Sequence, residues 1–214
     1  GAWVQTGSDI DGEAAGDRFG TSVSLSSDGT RVAIGATNND GSFSNAGHVR
    51  VYDLKDGAWV QAGSDIDGEA AGDLFGASVS LSSDGTRVAI GARFNDGSFS
   101  NAGHVRVYDL TDGAWVQTGS DIDGEAAVDY SGYSVSLSSD GTRVAIGAAY
   151  NDGSYNNAGH VRVYEWNDGT TSWDKLGSDI DGEAASDQSG SSVSLSSDGT
   201  RVAIGAPANG SNAG

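Results

Sequence analysis

The sequence contains no cysteine and no methionine, and it has one proline among its 214 residues. Without cysteine the chain has no disulfides, no thiolate nucleophile and no thiolate metal ligands. Basic residues are also scarce, since 11 lysines and arginines stand against 30 aspartates and glutamates, for a net charge of −19. Nucleic acids and anionic membranes bind clusters of basic residues, so this balance argues against both as partners. It is compatible with divalent cations.

What the chain has in abundance is repetition. The Gly-Ala-Trp-Val-Gln segment at residues 1–5 returns at 57–61 and at 113–117, and both steps are 56 residues long. A fourth copy, with two extra residues, is in phase again from Gly177. Such a period indicates a repeat architecture. We predict a single repeat domain over residues 1–214, with repeats at 1–56, 57–112, 113–170 and a truncated repeat at 171–214.

Each repeat contains four stretches that resemble β-strands. In the first copy they are residues 2–6, 21–26, 30–36 and 48–54. The segment at 58–62, at the start of the second repeat, is expected to be the outer strand of the first blade. Val23 and Leu25 alternate with serines, as in a strand with one buried face, and a turn signal with Gly29 follows. The small apolar run at 32–36 is typical of a strand covered on both faces. The pattern predicts an all-β protein of propeller-type blades, each with four antiparallel strands and the last blade incomplete.

Short motifs in the same places resemble the FG-GAP repeat. The first copy has Phe19-Gly20 followed by Gly35-Ala36, and the later copies have Phe75-Gly76 with Gly91-Ala92, Ser131-Gly132 with Gly147-Ala148, and Ser189-Gly190 with Gly205-Ala206-Pro207. FG-GAP repeats build the seven-bladed head of integrin α subunits and occur in many secreted microbial and algal proteins. The resemblance covers the whole chain and implies a propeller, an extracellular or cell-surface location, and a longer parent propeller.

The resemblance also implies a calcium loop between the first two strands of a blade, and the sequence departs from it there. Integrin-type repeats carry D-x-D-x-D-G-x-x-D at that point, whereas this chain has Leu25-Ser26-Ser27-Asp28-Gly29-Thr30. One carboxylate does not supply the roughly six to eight oxygens that calcium takes. We therefore expect no metal in this turn.

A different loop is rich in carboxylates. Counted from Asp9, they fall at positions 1, 3, 5 and 9, which is a spacing typical of Asp-rich calcium loops. The candidate calcium ligands are Asp9, Asp11, Glu13 and Asp17, then Asp65, Asp67, Glu69 and Asp73, then Asp121, Asp123, Glu125 and Asp129, then Asp179, Asp181, Glu183 and Asp187. The alternative is that these acids cap turns and keep the surface soluble. The sequence leaves both interpretations open.

Histidines and aromatic residues supply the remaining candidates. His48, His104 and His160 occupy equivalent places, so we expect them on separate blades, in packing roles rather than around one zinc ion. Asn-Asp-Gly turns recur at residues 39–41, 95–97 and 151–153. Aromatic residues near these turns are candidates for a ligand-binding face, because loops often carry recognition. They are Phe43, Phe94, Phe99, Tyr150 and Tyr155.

Near-identical repeats argue against catalysis, because copies of one residue in one environment do not acquire different acid and base roles. The residues that break the repeat form no recognisable catalytic set: Tyr130, Tyr133, Trp166, Lys175, Gln188 and Pro207. We predict no catalytic residues and a non-enzymatic extracellular module for adhesion, surface display or assembly. The alternative is a carbohydrate-binding appendage of a secreted polysaccharide-active enzyme. Expected partners are a protein or glycan ligand, and a second copy at the open edge of the last blade.

Overall fold

The computed structural model describes residues 1–212, and within them the chain folds into four antiparallel sheets in tandem, which we number as blades 1 to 4. Blade 1 contains β1 (Phe19–Leu25), β2 (Arg31–Ala36), β3 (His48–Lys55), β4 (Ala58–Gln61) and β5 (Ile66–Asp67). Blade 2 contains β6 (Ser78–Leu81), β7 (Arg87–Ala92), β8 (His104–Thr111), β9 (Ala114–Gln117) and β10 (Ile122–Asp123). Blade 3 contains β11 (Ser134–Leu137), β12 (Arg143–Ala148), β13 (His160–Asn167), β14 (Ser172–Lys175) and β15 (Ile180–Asp181). Blade 4 contains β16 (Ser192–Leu195) and β17 (Val202–Gly205), and one helical turn, α1 (Asn209–Asn212), follows.

The predicted all-β class and the four-stranded blade are confirmed. In blade 1 the strands are ordered β1-β2-β3-β4, and the two-residue β5 pairs with the free end of β3. The outer strand of each of the first three blades therefore comes from the start of the following repeat. The sequence did not indicate β5, which lies inside an acidic loop and is too short to show alternation.

The predicted strand at residues 2–6 is wrong, because the structure has no strand there. Its equivalent β4 is formed by pairing with β3 of the preceding repeat, and no described strand lies beside residues 2–6. Trp3 is accordingly fully exposed. The division of the chain into repeats stays a prediction, and residues 213–214 of the truncated repeat lie outside the described residues.

The second strand of one blade packs against the first strand of the next blade, and neighbouring first strands also meet. Ala89 and Ile90 of β7 are both 0 % exposed although they point to opposite faces, so both faces of this strand are covered. Gly91 allows the close approach, because a Cβ atom there would collide with the carbonyl oxygen of Gly132 in blade 3. Ser78 Oγ donates to that carbonyl at 2.8 Å. The small apolar run in the sequence thus serves blade-to-blade contact.

Two apolar clusters join the three complete blades. The first brings Ala33, Val49 and Val51 of blade 1 against Val79, Leu81, Val88 and Ile90 of blade 2. The second brings Ala89, Val105 and Val107 of blade 2 against Val135, Leu137, Val144 and Ile146 of blade 3. The core of the molecule therefore lies between blades, and burial of these side chains is its main source of stability. The loops at the ends of the strands remain free to carry polar groups.

Candidate functional site

One polar cluster recurs where an acidic loop meets the start of a third strand. In blade 2, His104 begins β8 and Arg106 follows two residues later on the same face of the strand. Glu69 comes from the acidic loop before β6, and Asp121 comes from the next acidic loop, before β10. We call Glu69, His104, Arg106 and Asp121 the His–acid cluster of blade 2.

Arg106 binds both carboxylates of this cluster. Its Nε donates to Asp121 Oδ1 at 3.0 Å and its Nη2 donates to Asp121 Oδ2 at 2.8 Å, a two-pronged arrangement that suits a guanidinium and a carboxylate. The same Nη2 donates to Glu69 Oε2. Burial acts to raise the pKa of Asp121, but the bonds from Arg106 and Gln117 outweigh it, so the pKa lies below its ordinary value. Asp121 is therefore ionised at neutral pH.

His104 is the buried member of the cluster, with 1 % of its surface exposed. Neither ring nitrogen has a hydrogen-bond partner among the described residues. Its Nδ1 lies 3.5 Å from Asp121 Oδ2 and 3.8 Å from Glu69 Oε1. Burial, helped by the positive charge of Arg106, lowers the pKa of His104 to about 4. The imidazole is therefore neutral at neutral pH, which is the form that binds metal ions.

The cluster is repeated in the neighbouring blades. Its members are Glu13, His48, Arg50 and Asp65 in blade 1, and Glu125, His160, Arg162 and Asp179 in blade 3. In each blade the Glu, the His and the Asp place one potential ligand atom apiece within 4.8 Å of one another. The three histidines lie on separate blades and all are buried. Each cluster joins the acidic loops of two consecutive repeats.

The other carboxylates of the acidic loops have separate surroundings. Asp73 is 3 % exposed and accepts a hydrogen bond from Asn95 Nδ2 at 2.8 Å, and burial raises its pKa. Asp123 lies in β10, where burial and then the nearby charge of Asp121 raise its pKa. The residues equivalent to Asp73 in the other loops are also buried: Asp17, Asp129 and Asp187. The residues equivalent to Asp123 lie in short strands, Asp67 in β5 and Asp181 in β15. The remaining candidates Asp9, Asp11 and Glu183 are exposed.

The structure thus gives the four carboxylates of one loop different neighbours. Among the described residues, each close group of potential ligands combines the Glu of one loop, a His, and the first Asp of the next loop. The calcium interpretation and the solvated-turn interpretation of these loops both stay predictions. That the histidines and arginines lie beside these acids was not predicted from the sequence. The available signal was that His-x-Arg recurs with the same period as the acidic loop.

A second feature is a pocket between blades 2 and 3, with a volume of about 340 Å³. Its lining residues are Arg93, Phe94, Tyr130, Tyr133 and Tyr150, which we call the aromatic pocket. Phe94 and Tyr130 meet edge to face with ring centroids 5.0 Å apart, and Tyr130 and Tyr150 do so at 5.2 Å. Edge-to-face contacts of this kind are a favoured arrangement of aromatic rings. One side of the pocket is therefore a set of aromatic rings in mutual contact.

Arg93 forms the polar wall of the aromatic pocket. Its guanidinium carbon lies 5.1 Å from the ring centroids of both Phe94 and Tyr133, within the range of cation–π attraction. Its Nε is buried and has no hydrogen-bond partner among the described residues. Tyr133 and Tyr150 complete the ring contacts, with centroids 6.1 Å apart. In this acidic chain, the pocket thus combines aromatic faces with a cation held by aromatic contacts.

The predicted ligand-binding aromatics are divided between two places. Phe94 and Tyr150 line the aromatic pocket. Phe43, Phe99 and Tyr155 lie at equivalent positions in loops of successive blades, and each is more than half exposed. In the sequence, Tyr130 and Tyr133 stood out only as departures from the repeat. Arg93 was not among the candidates, although it stands where the other complete blades have Thr37 and Ala149. Departure from the repeat was the signal that marks the pocket.

The family comparison agrees with the fold. The model of the FG-GAP repeat matches residues 8–52 and 65–108. No curated protein matches the sequence. Within the described part of the chain, no helix has the length and apolar character needed to cross a membrane.

Solved structures with a similar fold have very different sequences. The periplasmic gluconolactonase of Pseudomonas aeruginosa is 15% identical with a TM-score of 0.59, over 87% of this chain and 50% of that one. Hydrazine synthase of Kuenenia stuttgartiensis is 14% identical with a TM-score of 0.53, over 94% and 44%. A Bacteroides fragilis protein provisionally named 6-phosphogluconolactonase is 14% identical with a TM-score of 0.51, over 74% and 38%. The chain spans half or less of each structure, and such identities show the fold alone. Residues 8–52 and 65–108 are thus FG-GAP repeats, in a chain of propeller-type fold.

Proposed function

We propose that the chain is a non-enzymatic, extracellular binding module that holds the ring of a carbohydrate in the aromatic pocket. The observation that carries this proposal is the position of the pocket, because it forms where the otherwise repeated blades differ from one another. Binding sites for small molecules are concave, mostly apolar and lined by few polar groups, and the aromatic pocket has this composition. FG-GAP repeats are typical of extracellular proteins, which supports the location.

The lining of the pocket favours binding over catalysis. Its five described lining residues comprise one arginine, one phenylalanine and three tyrosines, so neither a carboxylate nor a histidine faces the cavity. Hydrolysis of a glycosidic bond or a lactone calls for an acid, a base or an activated nucleophile. The lactonase names of two neighbours belong to those proteins, and the similarity extends to this chain only as fold.

A test starts from a glycan array probed with the wild-type chain, followed by calorimetry with the best ligand. Tyr130→Ala removes a ring that contacts both Phe94 and Tyr150, so we expect affinity to fall by about tenfold or more. Tyr155→Ala is the matched control, because this tyrosine is exposed and lies outside the pocket lining. Absence of any glycan ligand, or equal losses in both variants, would contradict the proposal.

A second candidate function is adhesion to a protein ligand, and it rests on a different observation. Phe43, Phe99 and Tyr155 are 53 %, 53 % and 55 % exposed at equivalent points of three blades, which forms a repeated apolar row. Aromatic anchors of this kind are typical of protein interfaces. Loss of protein binding in Tyr155→Ala, with glycan binding unchanged, would favour adhesion.

A further inference from the structure

The His–acid cluster of blade 2 contains a buried histidine that its surroundings leave unsatisfied. Both ring nitrogens of His104 lack a hydrogen-bond partner among the described residues, although the residue is 1 % exposed. Buried polar atoms are nearly always bonded, so each exception calls for an explanation. His160 repeats the observation in blade 3, where its Nδ1 is also without a partner. Blades 2 and 3 therefore share this feature.

The distances around His104 are those of ligands that share a metal ion. Its Nδ1 lies 3.5 Å from Asp121 Oδ2 and 3.8 Å from Glu69 Oε1, which is too far for a direct hydrogen bond. Two ligand atoms on one tetrahedral zinc, with bonds near 2.1 Å, are about 3.4 Å apart. In blade 1, His48 Nδ1 is 3.7 Å from Asp65 Oδ2, and in blade 3, His160 Nδ1 is 3.8 Å from Glu125 Oε1. The spacing suits a small cation in the gap.

We propose that each His–acid cluster binds one divalent ion of the zinc type, through the imidazole Nδ1 and one oxygen from each of the two carboxylates. Imidazole nitrogen suits zinc and other late first-row metals, whereas calcium takes oxygen ligands throughout. Three protein ligands leave a position for water. The ligands are Glu13, His48 and Asp65 in blade 1, Glu69, His104 and Asp121 in blade 2, and Glu125, His160 and Asp179 in blade 3.

Arg106 leaves lone pairs of both carboxylates available to a metal ion, because its hydrogen bonds use other lone pairs of the same groups. It donates to Glu69 Oε2, while Glu69 Oε1 faces His104. Asp121 Oδ2 accepts one bond from Arg106 and keeps a second acceptor site, as a carboxylate oxygen has about two. The arginine neutralises one of the two carboxylate charges, so the cluster retains a net negative charge that attracts a cation. Its guanidinium also fixes the orientation of both carboxylates, as outer partners of metal ligands do.

A metal in this cluster would join two consecutive repeats. Glu69 and His104 belong to the predicted repeat at 57–112, while Asp121 belongs to the next one, at 113–170. A bound ion stabilises the folded chain by mass action, since the unfolded chain does not present the three ligands together. The expected role is a cross-link between repeats.

The test is zinc titration of the chelator-treated 214-residue chain by calorimetry, with metal content measured after gel filtration. We expect three zinc ions per chain, one for each cluster. His104→Gln should lower the stoichiometry to two, and Glu69→Gln should weaken the same site while keeping the side chain's size. Asp112→Asn is the matched control, since it removes one exposed acidic charge outside the clusters and should leave three ions bound. Circular dichroism checks that each variant is folded.

Two results would overturn the proposal. One is that folded wild-type chain retains no zinc after gel filtration. The other is that zinc or calcium binds with a stoichiometry that His104→Gln does not change, since this would place the ions in the acidic loops without the histidine. X-ray absorption of the zinc-loaded chain gives an independent readout, because it should show one imidazole nitrogen among oxygen neighbours at each ion.

Discussion

A single aspartate holds the hairpin turn between the first two strands of each blade. In blade 3, Asp140 Oδ1 accepts from Ser138 Oγ at 2.6 Å, from the Thr142 amide at 3.0 Å and from Thr142 Oγ1 at 2.9 Å. The bond from Ser138, followed by that from the Thr142 amide, lowers the pKa of Asp140 below 3.8. This turn has one carboxylate, which is too few oxygens for calcium, and its Oδ1 instead accepts three hydrogen bonds from its own loop.

We predict that Asp140→Ala lowers the free energy of unfolding by about 1–2 kcal/mol, because three hydrogen bonds to one oxygen are lost. The buried Ser138 hydroxyl then keeps only its longer bond to the Arg143 carbonyl oxygen, at 3.4 Å. Asp140→Asn keeps an acceptor oxygen and should lose less than half as much. Since the pKa is depressed in the folded state, the stabilisation is present at neutral pH and lost as pH falls below 3.8. Urea unfolding at neutral pH measures the differences. Equal stability of all three chains would contradict the role given to this carboxylate.

Among the strands, the second of each blade is the one that decides how closely blades approach. At Gly91 a Cβ atom would collide with the Gly132 carbonyl oxygen and lie 2.5 Å from Ser78 Oγ. The backbone of blade 3 cannot retreat without disturbing the second apolar cluster, because packed interiors yield little. Gly205 has the same place in β17, but there the three atoms nearest to a Cβ atom would all belong to Ser192 of its own blade.

We therefore predict that Gly91→Ala lowers the free energy of unfolding by about 2–3 kcal/mol through overpacking between blades. Gly205→Ala is the matched control and should change stability by less than about 1 kcal/mol, since the Ser192 hydroxyl is able to rotate away. Thermal and urea unfolding of the two variants beside the wild type give the comparison. A larger loss in Gly205→Ala than in Gly91→Ala would show that the blade contact does not limit this strand.

Local patterns were enough to predict the strands that carry them. The alternation at Val23 and Leu25 and the small apolar run of β2 depend on neighbouring residues in the sequence, and both strands form where expected. Residues 2–6 have the sequence of an outer strand, yet a strand needs a partner, and the partner of this segment is not among the described residues. Pairing is a property of the fold, so the local pattern did not decide it.

The candidate sites were less predictable for the same reason. The spacing of carboxylates in one acidic loop suggested that the carboxylates of that loop converge. Instead, Arg106 donates hydrogen bonds to Glu69 of one loop and to Asp121 of the next. The fourth carboxylate, Asp73, is buried and accepts a hydrogen bond from Asn95. Ion pairs and buried hydrogen bonds between residues far apart in the sequence thus decide where these acids point. The aromatic pocket likewise joins residues from two repeats, and only the loss of repetition at Tyr130 and Tyr133 hinted at it.

As a whole molecule, the chain is a row of blades in which stability depends on neighbours. Blades 2 and 3 share apolar clusters with adjoining blades, and their second strands are almost entirely buried. In blade 4, β16 and β17 are half-buried or exposed, and β17 has no strand along its second edge among the described residues. Repeat arrays of this kind have stabilities that sum the repeats and their interfaces. The free energy of local unfolding should therefore differ from blade to blade, according to how much of each blade is covered by its neighbours.

Hydrogen exchange tests this expectation with a control that the sequence supplies. The 15 residues at 22–36, 78–92, 134–148 and 192–206 are identical in all four blades, so their intrinsic amide exchange rates are closely matched. We predict the strongest protection at 78–92 and 134–148, less at 22–36, where Val23 and Leu25 are 65 % and 58 % exposed, and the least at 192–206. The four identical segments can be told apart by mass in peptides that begin one residue earlier, because that residue is Thr21, Ala77, Tyr133 or Ser191. Equal protection in the four segments would mean that the strands are stabilised within each hairpin. The predicted gradient would instead assign their stability to the contacts between blades.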